Sequence, residues 1–375
     1  MTQTQYVHGQ TLIQAFETWI PKSLAFEGDK IGLQIGTLNK PIKKIMVTLD
    51  VLENVVDEAI ENDVDLIFSH HAVIFRPLKD MRTDQGQSKI VAKCIKHDIA
   101  VYNAHTNLDN ANGGLNDWLA EALDLQNTEI LIPKASESLY KLAVYTPLSH
   151  EKVVREAIGH AGAGAIGQYS HCSFNTIGKG MFKPDEGAQP HIGQVGRLEE
   201  VEEVKIETVV PESLLNKVKR AMLNAHPYEE VAYDVFKLEN EGPAYGLGRI
   251  GQLPQELTLK AFAETVKKVF ELDGVRVIGD LDSKVNKVAV LGGDGNSFYK
   301  QAKFKGADVF VTGDIYYHTG HDALLDGLPI IDAGHHIEKV MKKGVGHFFQ
   351  EFIKEKKYDT EVLISKANTN PFQYL

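Results

Sequence analysis

The stretch Val64-Asp65-Leu66-Ile67-Phe68-Ser69-His70-His71 decides the reading of this chain. A short apolar run without polar alternation reads as a strand buried on both faces, the mark of a parallel sheet. In open α/β sheets, ligands gather just past the carboxyl ends of such strands. Two adjacent imidazoles at that position are costly to bury without partners. A second pair, His335-His336, follows the apolar run Leu328-Pro329-Ile330-Ile331 and the turn Asp332-Ala333-Gly334. Two histidine pairs, each behind a strand, point to one shared metal site drawn from both ends of the chain.

Outward from this stretch, strands alternate with helices. Lys43 to Leu49 reads as a strand, and Leu52 to Asn62 as a helix with Val55, Val56, Ala59 and Ile60 at helical spacing. A polar loop, Arg76 to Gln87, leads to a helix from Ser88 to Lys96. Ile99 to Tyr102 is a further strand, and Leu115 to Leu125 a further helix. The C-terminal part repeats the plan. Its strands are Lys287 to Leu291, Ala307 to Thr312 and Leu328 to Ile331, and a longer helix runs past Met341. The glycine-rich turn Gly292-Gly293-Asp294-Gly295-Asn296-Ser297 opens a helix, as an anion cradle or as a tight turn. The fold class is therefore α/β: two similar lobes with mostly parallel sheets, residues 1–128 and 241–375, and ligands at their junction.

The texture between the lobes, residues 129–240, is different. Lys141 to Pro147 reads as a strand and Glu151 to His160 as a helix. Val204 to Val210 is an alternating strand, a helix follows from Pro211 to Asn224, and Val231 to Phe236 closes the segment. That order suggests an inserted ferredoxin-like α+β domain.

Composition narrows the classes. A net charge of −11 argues against a broad nucleic-acid or anionic-membrane surface. No apolar run approaches the roughly 20 residues of a membrane helix. The N-terminus lacks a basic and then apolar secretory pattern. The two cysteines, Cys94 and Cys172, form no CxxC pair, so a reducing cytoplasm is the simplest setting.

Candidate nitrogen ligands are His70, His71 and His335; candidate oxygen ligands are Asp109 and Glu338. His335 and Glu338 are three apart and share one helical face. Asp109 follows the third strand at the same sheet end as His71; its bland alternative is a helix N-cap. Five ligands exceed the needs of one tetrahedral ion. They suit two divalent ions, zinc or iron, bridged by a carboxylate and water with positions left open. His105, Asp314 and His318 come from the same sheet end and are candidates for contacting substrate or orienting ligands. His336 reads as a supporting residue, Cys94 as packing within a helix, and Cys172, beside His171, as a further ligand candidate. The charged residues of Glu27-Gly28-Asp29-Lys30 are expected to face the site.

Ser69-His70-His71, Asn107-Leu108-Asp109, Gly313-Asp314 and Gly334-His335-His336-Ile337-Glu338, with Gly32-Leu33-Gln34-Ile35-Gly36, together resemble the NGG-interacting-factor-three-like (YbgI/YqfO-type) dinuclear metal-centre family. The resemblance covers residues 1 to about 125 and about 245 to 375. Tyr169-Ser170-His171-Cys172-Ser173-Phe174 and His226-Pro227-Tyr228-Glu229-Glu230 resemble the insert of the longer YqfO branch, which is similar to PII and CutA-like trimerising modules. The resemblance implies two metal ions per subunit on His70, His71, Asp109, His335 and Glu338, and a toroidal homohexamer. It also implies the activity of GTP cyclohydrolase I type 2 homologues. There, a metal-activated water attacks a nucleotide or related heterocycle, opening the guanine imidazole ring at C8 and releasing formate. Shorter relatives place the glutamate four residues after the first histidine; here that position is Lys339. Two other readings of the same residues are a metal-dependent phosphoesterase and a non-catalytic metal-binding or regulatory assembly.

Overall fold

Alternation at single-residue spacing builds both faces of the first sheet. Ile45, Val47, Leu66, Phe68, Ala100 and Tyr102 enter one buried cluster, while Met46, Ile67 and Val101 enter another with Val55, Val56, Val91 and Cys94. The computed structural model describes residues 5–375. Its first sheet runs in the order Glu361–Ile364, Lys44–Thr48, Leu66–Ser69, Ala100–Asn103 and Gly32–Ile35. The first four strands are parallel and Gly32–Ile35 closes the edge antiparallel.

The second sheet follows the same plan. Val309–Gly313 lies between Ile330–Asp332 and Lys284–Asp294, parallel to both. Arg276–Ile278 pairs antiparallel on one side, and residues Arg249 to Thr258 on the other. The repeat extends to detail. The Asp65 carboxylate accepts from the N–H groups of Lys43 and Lys44 at 2.6 and 3.0 Å. Asp308 accepts from those of Asn286 and Lys287 at 2.9 and 2.7 Å. Each aspartate thus fixes the start of the strand beside its own.

The described chain divides into two units. One reaches Lys134 and resumes from Tyr245 to Leu375; the other is Ala135–Ala244. In the first unit a single core holds Phe68 of the first sheet and Val290, Val311 and Ile331 of the second, with Phe16 and Phe349 from two helices. Arg249, 3% exposed, adds a polar tie: its Nε and Nη2 donate to the two oxygens of Asp117 at 2.5 and 2.7 Å.

The second unit contains the strand–helix–strand–strand–helix–strand order. Its four strands lie in the spatial order fourth, first, third, second. Two helices, Glu151–His160 and Leu215–Ala225, cover one face over Leu142, Val144, Val204 and Ile206. This is the ferredoxin-like arrangement.

Three details differ from the sequence reading. The strand Ser173–Phe182 was missed because nearly all its residues are exposed and give no burial alternation. Glu361–Ile364 was missed because it is a four-residue, half-buried edge strand; it returns the chain's end to the first sheet. The glycine-rich turn does not open directly into a helix. Its first three residues extend the strand Lys284–Asp294, and the helix begins at Tyr299.

Phe349 is fully buried and its ring lies 5.3 Å from that of Phe68 and 6.0 Å from that of Phe16. Phe349→Ala removes that ring from the shared core. We expect a loss of about 3–5 kcal/mol, read as a lower urea midpoint for unfolding.

Candidate metal centre

Sheet geometry brings the functional side chains to one place. The strands Lys44–Thr48, Leu66–Ser69 and Ala100–Asn103 are in register, with Thr48 opposite Ser69 and Ser69 opposite Asn103. Asp50, His70, His71 and His105 therefore emerge at one sheet end. From the second sheet, Asp314 follows Val309–Gly313 and His335 follows Ile330–Asp332. The backbone amides of His70 and His71 both donate to the Leu49 carbonyl, at 3.2 and 3.0 Å, which fixes the turn after the strand.

Each imidazole is held by its Nδ1. That of His70 meets the Ala104 carbonyl at 2.9 Å. That of His71 meets Asp50 at 2.6 Å, that of His105 meets Asp29 at 2.9 Å, and that of His335 meets Asp314 at 2.6 Å. The free Nε2 atoms of three of them converge on Glu338 Oε2: His71 at 3.0 Å, His335 at 3.2 Å and His70 at 3.8 Å. His105 completes the group, its ring centroid 5.2 Å from that of His70 and 5.7 Å from that of His71. Asp109 Oδ1 lies 3.4 Å from His70 Nε2.

Glu338 reaches the centre because its turn is tight. His335–Val340 is a 3₁₀ helix, in which residues three apart lie one above the other. Glu338 therefore stacks on His335, while Lys339 donates to the Glu271 carbonyl instead. The glycine-rich stretch makes room. A Cβ on Gly293, at φ +72°, would lie 2.8 Å from Glu338 Oε1, and one on Gly313 would lie 2.6 Å from the His335 nitrogen.

Burial and charge set the protonation of the metal-free cluster. Burial, reinforced by the charge of Glu338, pushes Asp109 up to about 8. Burial opposes ionisation of Glu338 as well, but hydrogen bonds from His335 and His71 hold it well below the ordinary carboxylate range. Burial likewise drives His70 down to about 3, leaving a neutral imidazole. For His71 burial works against charging, yet the hydrogen bonds to Asp50 and Glu338 win and raise it to about 10. His335 is raised to about 9: burial is outweighed by Glu338 and Asp314.

The arrangement fits divalent cations. His70 Nε2 and Asp109 Oδ1 are buried without a hydrogen-bond partner among the described residues, an arrangement that costs free energy. Neutral imidazole and carboxylate are the donor types that zinc and iron take. Three overlapping triads could each hold an ion: His70, His71 and His105; His71, His335 and Glu338; His70, Asp109 and Glu338. A carbonyl or carboxylate behind each imidazole is the usual support of a metal-binding histidine.

The residues named from sequence fall as follows. His70, His71, Asp109, His335 and Glu338 come together. Asp109 lies within the short helix Thr106–Asn110 and not at its N-cap. His105 joins the group, and Asp314 stands behind His335. His318 does not join: it is exposed on the helix Tyr317–Leu325, with its ring against Tyr317. Of the Glu27 to Lys30 charges, Asp29 reaches the site through His105. Asp50 was missed, because its place just past a parallel strand is one that any loop aspartate shares. Cys172 lies in the other unit, its thiol donating to the Ser170 carbonyl at 3.9 Å.

A doubled α/β sheet plan with an imidazole–carboxylate cluster at the strand ends defines a candidate metal-binding protein. The chain belongs to the Duf34/NIF3 (NGG1p interacting factor 3) family, whose profile it matches over residues 7–371. A Bacillus subtilis (strain 168) relative, named GTP cyclohydrolase 1 type 2 homolog, is 57% identical over 98% of this chain and 99% of its own length. One from Halalkalibacterium halodurans with the same name is 56% identical over 98% of this chain and 99% of its own. The crystal structure of a Bacillus cereus protein related to NIF3 is 55% identical, covers 99% of this chain and 100% of that chain, and superposes with a TM-score of 0.94. No described helix is long and apolar enough to cross a membrane.

At neutral pH the metal-free site holds protons on His71 (about 10), His335 (about 9) and Asp109 (about 8). Cations must displace them, so binding releases protons and apparent affinity falls as pH is lowered from 8 to 6. Calorimetric titration with Zn²⁺ in buffers of different ionisation enthalpy reads both effects. Asp50→Ala removes the support behind His71, and we expect metal affinity to drop about 10–100-fold.

Proposed function

We propose that this protein is a dinuclear metal-dependent hydrolase acting on a nucleotide or related heterocycle, with GTP the first substrate to test. The observation that carries the reading is the convergence of three imidazole Nε2 atoms on the buried Glu338 carboxylate, with Asp109 and His105 beside it. His70, His71, Asp109, His335 and Glu338 hold the two ions. Bound divalent ions supply Lewis acidity and lower the pKa of a coordinated water. The names of the Bacillus subtilis and Halalkalibacterium halodurans relatives support the cyclohydrolase form of this reading.

The chain's own residues do the positioning. His105 is half-buried and tied to Asp29, and despite the opposing effect of burial its pKa is raised by that hydrogen bond. It stands ready to donate to negative charge developing on the substrate, the role that preorganised donors fill in hydrolytic sites. Asp314, at φ +58°, is held in an uncommon backbone conformation that aims its carboxylate at His335. We further propose that the subunits assemble as a toroidal homohexamer, which light scattering of the purified protein tests.

The hydrolase reading predicts about two divalent ions per chain by elemental analysis, and formate released from GTP by the loaded protein. His71→Ala with Asp109→Ala is expected to lose both metal and formate production. Phosphate in place of formate redirects the reading to phosphoester hydrolysis. Full metal content with no turnover of any nucleotide removes the hydrolase reading.

A further inference from the structure

The Ala135–Ala244 unit holds a cavity of its own, about 600 Å³ in volume, within the range of small-molecule sites. It opens between the strand Ser173–Phe182, the loop after it and the segment around Tyr228. Tyr145, Phe182, Pro184 and Tyr228 give it apolar and aromatic walls. The Phe182 and Tyr228 rings meet edge to face at 5.9 Å. His226 ties two of these walls together. Its Nε2 donates to the Tyr145 carbonyl at 2.8 Å, and its Nδ1 accepts from the Tyr228 amide at 3.1 Å.

Glu203 is one of several polar residues that line the cavity. The Tyr228 hydroxyl donates to its Oε1 at 3.1 Å. Its other oxygen lies over Gly180, where a Cβ would come within 2.2 Å of Oε2. Glycine at 180 thus leaves room for the carboxylate. A carboxylate has about four acceptor sites, so one tyrosine hydroxyl leaves capacity on both oxygens.

The charges around the cavity select the ligand. Asp185, Glu229 and Glu230 line it along with Glu203. Of the lining lysines, Lys179 is committed to an ion pair with Glu200, which leaves Lys183. This excess of carboxylate opposes phosphates and carboxylic acids. Aromatic faces beside it attract cations.

We propose that this cavity binds a planar organic cation with an amidine or guanidine edge. Its paired N–H groups meet Glu203, and its ring lies against Phe182 and Tyr228. Paired N–H donors on a carboxylate are among the stronger and more directional polar contacts. The site uses no residue of the imidazole cluster, so it stands apart from the hydrolase reading.

Calorimetric titration of the full-length protein with benzamidine tests the proposal, with benzoate as the same ring bearing the opposite charge. We expect benzamidine to bind and benzoate not to. Glu203→Gln keeps the shape and an acceptor for Tyr228, and should weaken benzamidine by about tenfold or more. Phe182→Ala should weaken it through the wall, which provides a second reading should Glu203→Gln fold poorly. His71→Ala should leave it unchanged. The proposal is overturned by equal binding of benzoate, by no benzamidine binding at millimolar concentration, by benzamidine binding that survives both cavity variants, or by its loss in His71→Ala.

Discussion

One buried carboxylate organises the first unit. Glu338 is 3% exposed, and Nε2 atoms from both sheets face one of its oxygens. A charge so far from water is costly unless it is met by opposite charge or by donors. The first sheet answers with His71 and the second with His335. The shared core, the register of the parallel strands and the glycines at 293 and 313 all serve that meeting. A side chain at Gly293 would push against Glu338 itself.

The groups behind the histidines matter as much as the histidines. Asp50, Asp29 and Asp314 each take an Nδ1, and so each fixes which nitrogen faces inward. Asp50 is in turn held by the Thr369 hydroxyl at 2.5 Å. The end of the chain thereby helps orient a histidine near its beginning. The long sequence separation within the cluster follows from the doubled sheet, because equivalent strand ends of the two halves meet.

Much of this was legible in the amino-acid sequence, for physical reasons. Leu66–Ser69 is buried on both faces, and its apolar run says so directly. The position of His70-His71 past that run carries the sheet-end rule, and Gly334-His335 repeats it. What escaped lacked such a signal. Ser173–Phe182 is exposed along most of its length, and Glu361–Ile364 is short and half-buried. His318 shares a sheet end with the cluster in sequence terms, yet its helix turns it to solvent. Asp50 sits after a strand like any loop aspartate; only the register with Ser69 shows that it backs His71. The spacing of His335 and Glu338 was clear, but the 3₁₀ turn that stacks them is visible only in the backbone.

We propose that this convergence of imidazole and carboxylate is a cation site. Crystals of the protein purified without chelator, measured above and below the zinc and iron absorption edges, test it most directly. Two anomalous peaks are expected, one within bonding distance of His71, His335 and Glu338 and the other of His70 and Asp109. Maps with no anomalous density beside Glu338, at full occupancy of its protein neighbours, would contradict it.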